Sequence, residues 1–174
     1  IFTQIAAAAM GYDARDVVVA EPDTARVPNS GPTVASRTAM VVGRLIERAC
    51  DGLRASVGEQ ADVRGRALKD AIVAWHLAHP GRELRAEAKY EPPPGVHFDD
   101  KAYKGDAYAT FAWGACAAEV EIDLRTFGVR VIDFVSVQDI GKVINPTLAA
   151  GQVQGGVVQA IGCCLLYTSD AADE

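Results

Sequence analysis

Two runs of alternating character, separated by a six-residue break, constrain the second half of this chain more than any other feature. From Tyr108 to Ile122 small and aromatic residues interleave with polar ones, Val129 to Gln138 repeats the pattern, and Arg125-Thr126-Phe127-Gly128 stands between them. A period of two on both sides of a glycine-bearing turn predicts an antiparallel β-hairpin. Glu119, Glu121 and Asp123 alternate with Val120 and Ile122, so one face is expected to be wet and the other buried. On that reading the acidic triplet is a solvated face and not a metal site.

The first half reads mainly as helix. Residues 1–10 (IFTQIAAAAM) are strong helix formers stopped by Gly11, and the β-branched run Asp16–Glu21 before Pro22 predicts a short strand. Asp23–Pro32 is a polar loop punctuated by proline and glycine. Val41, Val42, Leu45, Ile46 and Ala49 then recur at helical spacing, with Arg44, Glu47 and Arg48 on the other side, which predicts a helix from about Thr33 to Val57. Arg64–Ala78 predicts another, with Leu68, Ile72, Trp75 and Leu77 as its apolar members and Pro80-Gly81 as its stop. Leu84–Tyr90 alternates like a strand and ends in a stiff Pro92-Pro93-Pro94 connector. Helices and hairpin together predict an α+β class with helices packed on mixed or antiparallel sheets, and 49% hydrophobic residues suffice for a core.

The junction Val27-Pro28-Asn29-Ser30-Gly31-Pro32-Thr33-Val34-Ala35-Ser36-Arg37-Thr38 is where the loop meets its helix. Gly31 suits the N-cap and Pro32 the first helical position. The amides of Thr33, Val34 and Ala35 would then lack intrahelical partners and point out with the positive end of the dipole, joined by hydroxyls of Ser30, Thr33, Ser36 and Thr38. A phosphate or other oxyanion suits such a place. An ordinary capped helix whose hydroxyls satisfy their own backbone fits the same pattern.

After the hairpin, Asp139–Pro146 is a loop that leads to a helix with a glycine-rich start, Gly151-Gln152-Val153-Gln154-Gly155-Gly156-Val157-Val158-Gln159-Ala160-Ile161-Gly162. It lacks the lysine ending of a P-loop and the dinucleotide glycine pattern. Glycines four apart let another backbone, or a flat ligand, approach closely. Gln152, Gln154 and Gln159 add amides that both donate and accept.

Other features exclude whole classes of function. A net charge of −6 and a pI near 5.1, with no basic block, argue against a nucleic-acid backbone as partner. Cys50, Cys116, Cys163 and Cys164 show no metal-type spacing, so no zinc or iron–sulfur site is expected within the chain, and buried free thiols are the default. His76 and His79 read as helix-terminal histidines favoured by the dipole. No serine or cysteine nucleophile system stands out. The start at Ile1, without a signal segment or an apolar run judged long enough to span a bilayer, reads as an internal piece of a longer soluble, cytoplasmic protein.

Three blocks carry a resemblance. They are the 27–38 junction, Tyr103-Lys104-Gly105-Asp106-Ala107-Tyr108 through Ala118-Glu119-Val120-Glu121-Ile122-Asp123, and Gln138-Asp139-Ile140-Gly141-Lys142-Val143-Ile144-Asn145-Pro146 followed by Gly151-Gln152-Val153-Gln154-Gly155-Gly156. In this order they resemble the molybdenum-binding (large) subunit of the xanthine dehydrogenase/aldehyde oxidase family of molybdenum hydroxylases. The resemblance covers about residues 1–166. It implies part of a molybdopterin-binding domain over 1–165, with 166–174 similar to a non-native read-through tail.

The resemblance also implies the ligand and the chemistry. Thr33, Val34, Ala35, Ser36 and Thr38 are carried over as cofactor-binding positions, with Ala35 nearest the metal, and Gln152 as a pterin contact. The cofactor would be molybdopterin with molybdenum, as the cytosine dinucleotide common in bacterial members, its pyrophosphate being the anion a helix start favours. Such enzymes hydroxylate an electron-poor carbon of a heterocycle or aldehyde with oxygen from water and pass electrons through [2Fe–2S] clusters to FAD. FAD-binding and iron–sulfur subunits or domains, a small-molecule substrate and an oligomeric complex follow as expected partners. The family's glutamate base belongs to a Gly-Glu-Pro-type motif that does not occur here. No catalytic residue and no protein metal ligand is therefore assigned, and Glu91, Glu119 and Glu121 do not fill that role. The fragment alone would be inactive. Relatives acting on carbon monoxide, nicotinate or an aromatic thioester, and a non-catalytic phosphate-binding domain, are the alternatives.

Overall fold

The structure, a computed structural model, describes residues 1–25, 27, 33, 36–58, 63–99, 101–106, 108 and 110–165. It divides into two compact units, residues 1–92 and residues 93 onward.

The first unit is helical. Helix α1 (Phe2–Met10) ends where Gly11 turns left-handed at φ 68°, and the N–H groups of Gly11 and Tyr12 both return to the Ala7 carbonyl. Helix α2 (Gly43–Val57) and helix α3 (Gly65–Ala78) follow. Met10, Cys50 and Leu68, one from each helix, form the buried centre, and Tyr12, Ile46, Leu53, Val57 and Ile72 pack around it. Two glycines permit the close approaches. A Cβ on Gly43 would lie 2.9 Å from Ile5 Cδ1, and one on Gly11 would lie 2.9 Å from both Arg64 Cβ and Gly65 N. Arg54, buried on α2, donates from Nη1 to the Ala9 carbonyl at 2.8 Å and from Nη2 to Asp51 Oδ1 at 2.5 Å. It thereby satisfies a carbonyl at the end of α1 that has no intrahelical partner.

Several sequence expectations for this unit change. The 16–21 strand is absent: Asp13 caps a 3₁₀ turn at Ala14–Asp16, and the chain beyond has no ladder, with Val18 90% exposed. Leu84–Tyr90 also forms no ladder, although its burial alternates as a strand's would, and Ala86 packs over Gly52 of α2. A β-prone run becomes a strand only when a neighbour takes up its backbone groups, and here the neighbours are helices. The long helix begins later than Thr33. Its first turn, Thr38–Val42, is π-helical, closed by the Gly43 N–H on the Thr38 carbonyl, and runs without interruption into α2. Leu77 of α3, expected to face the core, is 79% exposed.

The second unit is a pair of hairpins and a helix. Strands β1 (Phe98–Asp99) and β2 (Lys104–Gly105) pair antiparallel across a turn in which Asp99 Oδ1 accepts from the Lys101 and Ala102 amides. Strands β3 (Gly114–Ile122) and β4 (Val129–Gln138) form the expected antiparallel hairpin, β3 starting six residues later than its pattern suggested. Asp123 organises the turn, accepting from the Arg125 amide at 2.8 Å and the Thr126 hydroxyl at 2.8 Å, while Phe127 adopts φ 57°. A bulge between Glu119 and Val120 skips Ile132 in the register. The expected buried face is not seen within this chain: Val120 and Ile122 are 48% and 49% exposed.

Helix α4 (Pro146–Leu165) starts five residues before the glycine-rich segment because Asn145 caps it, Oδ1 accepting from the Leu148 amide at 3.0 Å, with Pro146 at the first position. It packs on β4 with Ala149, Val153 and Val157 half-buried. At 20 residues with a mean hydropathy of 1.3, it is long and apolar enough by composition to cross a bilayer, which corrects the expectation from sequence. Cys163 and Cys164 on it are exposed, against the expectation of buried thiols; Cys50 is the buried one.

Candidate functional site

Of the 27–38 junction the structure describes Val27, Thr33 and residues 36–38. Thr33 is exposed and lies outside any element, Ser36 is exposed in a turn, and Thr38 is half-buried at the first position of the π-helical turn. Among the described residues, the Met40 amide donates to the Ser36 carbonyl at 2.9 Å and the Gly43 amide to the Thr38 carbonyl. Val34 and Ala35, like Gly31 and Pro32, lie outside the described residues.

Gln152 lies in the second turn of α4, exposed, between Gly151 and Val153. A Cβ on Gly151, Gly155 or Gly156 would meet nothing within 4 Å. Within the chain, then, these glycines are not explained by packing against another backbone, and the surface beside Gln152 stands open. Thr33, Ser36 and Thr38 belong to the first unit and Gln152 to the second.

The acidic residues and histidines singled out from sequence sit on the hairpin and at the end of α3. Glu121 pairs with Arg130 across the hairpin, Glu119 stands opposite Asp133, and Asp123 holds the turn. The Arg125 amide, followed by the Thr126 hydroxyl, holds the Asp123 carboxyl below the ordinary aspartate value. His79 donates from Nδ1 to the Trp75 carbonyl at 2.9 Å and stacks on the Trp75 ring, with His76 edge-on to the same indole. No group of three His, Cys, Asp or Glu side chains gathers as a metal site among the described residues.

Sequence reasoning missed one feature. Ser136, Gln138 and Gln154 line an open groove between the end of β4 and the first turns of α4. Only Gln154 stood out in the sequence, as an amide; nothing there showed that the strand end would face it.

Known proteins give this arrangement a context. The family model for the molybdopterin cofactor-binding domain matches residues 1–169. Xanthine dehydrogenase of Oryza sativa subsp. japonica is 34% identical over 94% of this chain and 12% of its own length. The xanthine dehydrogenase/oxidase of Gallus gallus is 29% identical over 91% of this chain and 12% of its own. Among solved structures, the aldehyde oxidoreductase from Desulfovibrio desulfuricans ATCC 27774 superposes with a TM-score of 0.72 at 27% identity, over 92% of this chain and 17% of that one. The chain thus spans only 12% to 17% of the length of these relatives. With its α+β units of helices and small antiparallel sheets, the chain belongs to the molybdopterin cofactor-binding domain family of the xanthine dehydrogenase/aldehyde oxidase molybdenum hydroxylases.

Proposed function

We propose that this chain forms part of the cofactor cleft of a xanthine dehydrogenase-like enzyme, with Thr33, Val34, Ala35, Ser36, Thr38 and Gln152 as its cofactor-binding positions. The family match over residues 1–169 carries the reading. The donor set fits the group. Thr33 and Ser36 offer exposed hydroxyls, and Gln152 offers an exposed amide beside glycines over which a Cβ would find open space. Hydroxyls and amides are the neutral donors that suit phosphate oxygens and the edge of a pterin.

When bound, the molybdenum cofactor supplies the redox chemistry of hydroxylating a heterocycle or aldehyde carbon with oxygen from water. This chain's residues bind and orient it, and none of them is assigned a proton-transfer role. The general base, the substrate pocket and the FAD and [2Fe–2S] centres belong to other parts of a cytoplasmic oligomeric complex, and the cofactor is carried as the cytosine dinucleotide. The chain alone is inactive. Residues 1–165 are cofactor-domain sequence and 166–174 a foreign tail. Helix α4 packs on β4 and carries Gln152, Gln154 and Gln159, which supports a place within the folded domain and not in a bilayer.

The test uses the complete enzyme. Gln152→Ala, which removes an amide contact, and Ala35→Trp, which fills cofactor space, are each expected to lower molybdenum content measured by elemental mass spectrometry, and turnover with it. Full metal content and wild-type rates in both variants would overturn the site. A panel of xanthine, an aldehyde, nicotinate and carbon monoxide then assigns the substrate class.

A further inference from the structure

Helix α4 is poorly suited to hold its own shape. Gly151, Gly155, Gly156 and Gly162 fall within its 20 residues, and glycine is the weakest helix former after proline. Packing helps little within this chain, because Ala149, Val153 and Val157 are only half-buried and no residue of the helix is fully buried. Gln152 lies exposed in this stretch, directly after Gly151.

Asn145 compensates at the start of the helix. Its Oδ1 accepts from the Leu148 amide at 3.0 Å and its carbonyl from the Ala149 amide at 3.0 Å, with Pro146 pre-set for the first helical position. The loop that delivers it is tied to the strand end: the Asp139 amide donates to the Trp113 carbonyl at 2.8 Å, and Asp139 Oδ1 accepts from the Gly141 amide at 3.1 Å. Asn145 precedes Gln152 by seven residues, about two turns of helix. Helix formation is cooperative, so a first turn that opens spreads toward Gln152, and the glycine at 151 resists it least of all residues but proline.

We propose that Asn145 is a positioning residue for the cofactor cleft, its cap holding the first two turns of α4 so that the Gln152 amide keeps one place and angle. The inference rests on the cofactor reading of Gln152.

The experiment uses the complete enzyme, without molybdenum for hydrogen exchange and grown on limiting molybdate for metal content. In Asn145→Ala the amides of residues 148–152 are expected to exchange about fivefold faster, the typical loss of a cap, with those of β3 and β4 unchanged and the wild-type rate restored in Asn145→Ser. Molybdenum content is expected to fall by up to about fivefold, as the competent fraction does. The decisive readout is a double-mutant cycle: in a Gln152→Ala background, Asn145→Ala causes no further loss of metal, because it acts through Gln152. A purely structural cap lowers metal content alike in both backgrounds, and that result overturns the proposal, as does unchanged exchange over 148–152 or unchanged metal content in Asn145→Ala. Should Asn145→Ala not accumulate, Asn145→Gly, which loses less of the cap, is measured in its place with the same directions expected. Full metal content in Gln152→Ala alone overturns the cofactor reading and this inference with it; loss of metal in Gln152→Ala but not in Asn145→Ala overturns the positioning role only.

Discussion

Replacing Gly11 by alanine separates two physical costs that the structure places on one residue. Gly11 ends α1 at φ 68°, a conformation that costs an alanine about 1–2 kcal/mol. Part of this, about 0.4–1 kcal/mol, is offset because alanine has less freedom to lose on folding. The added Cβ would also lie 2.9 Å from Arg64 Cβ and from the Gly65 backbone nitrogen. Since one of those atoms is backbone, relief requires α3 to move against α1, and such overpacking costs about 1–3 kcal/mol. Gly81 supplies the control. It has φ 77° and nothing within 4 Å of where its Cβ would be, so Gly81→Ala carries the conformational cost alone. Gly11→Ala is therefore expected to destabilise the first unit by about 1–4.6 kcal/mol, and Gly81→Ala, which lacks the overpacking, by about 0–1.6 kcal/mol. Urea unfolding followed by Trp75 fluorescence in a Trp113→Phe background reports on this unit. Two variants equal within about 0.5 kcal/mol, an ordinary surface-mutation difference, would refute the claim that the α1–α3 approach depends on the missing Cβ.

Three further outcomes follow. Burial, the largest cause, pushes the Cys50 thiol above its ordinary pKa, whereas Cys116, Cys163 and Cys164 are exposed; a disulfide reagent at neutral pH should label three thiols rapidly and Cys50 only at the rate of unfolding, and four equal rates would contradict the packing. Asp123 has its pKa lowered by the hairpin turn, so its contribution is complete above the unfolded aspartate value, near about 3.9, and is lost as pH falls through the lower folded value. The Arg125 amide resonance should titrate with a midpoint below that of an unstructured aspartate and lose the titration in Asp123→Asn; a midpoint at or above it would count against the turn. Gln152→Ala and Ala35→Trp in the complete enzyme are expected to lower molybdenum content, read by elemental mass spectrometry.

Periodicity alone located most of the elements. Gly11 stops α1, Pro80-Gly81 follows α3, and the alternation around Arg125–Gly128 becomes β3 and β4. Those features are local: a left-handed cap, a missing amide, a turn whose carboxylate binds the adjacent backbone. What failed depended on neighbours. Val17–Ala20 and Leu84–Tyr90 have strand-like side chains and no strand to pair with. The start of α4 moved because one side chain, Asn145, caps it before the glycines begin.

For the candidate site the division is similar. The order and identity of Thr33, Ser36, Thr38 and Gln152 were legible as residue types suited to an anion and a heterocycle, and the family, matched over residues 1–169, was legible from the sequence blocks. The close approach of Gly43 to Ile5 was not legible, because it joins residues 38 positions apart. Nor was the open groove beside Ser136, Gln138 and Gln154, which exists only once β4 and α4 have packed. Sequence alone determined which residues carry donors, which positions break a helix and which runs alternate, since those are properties of a residue and its near neighbours. Tertiary structure decided which runs become strands, which glycines mark close contact and which amides line a groove, because each of these is a relation between surfaces distant along the chain.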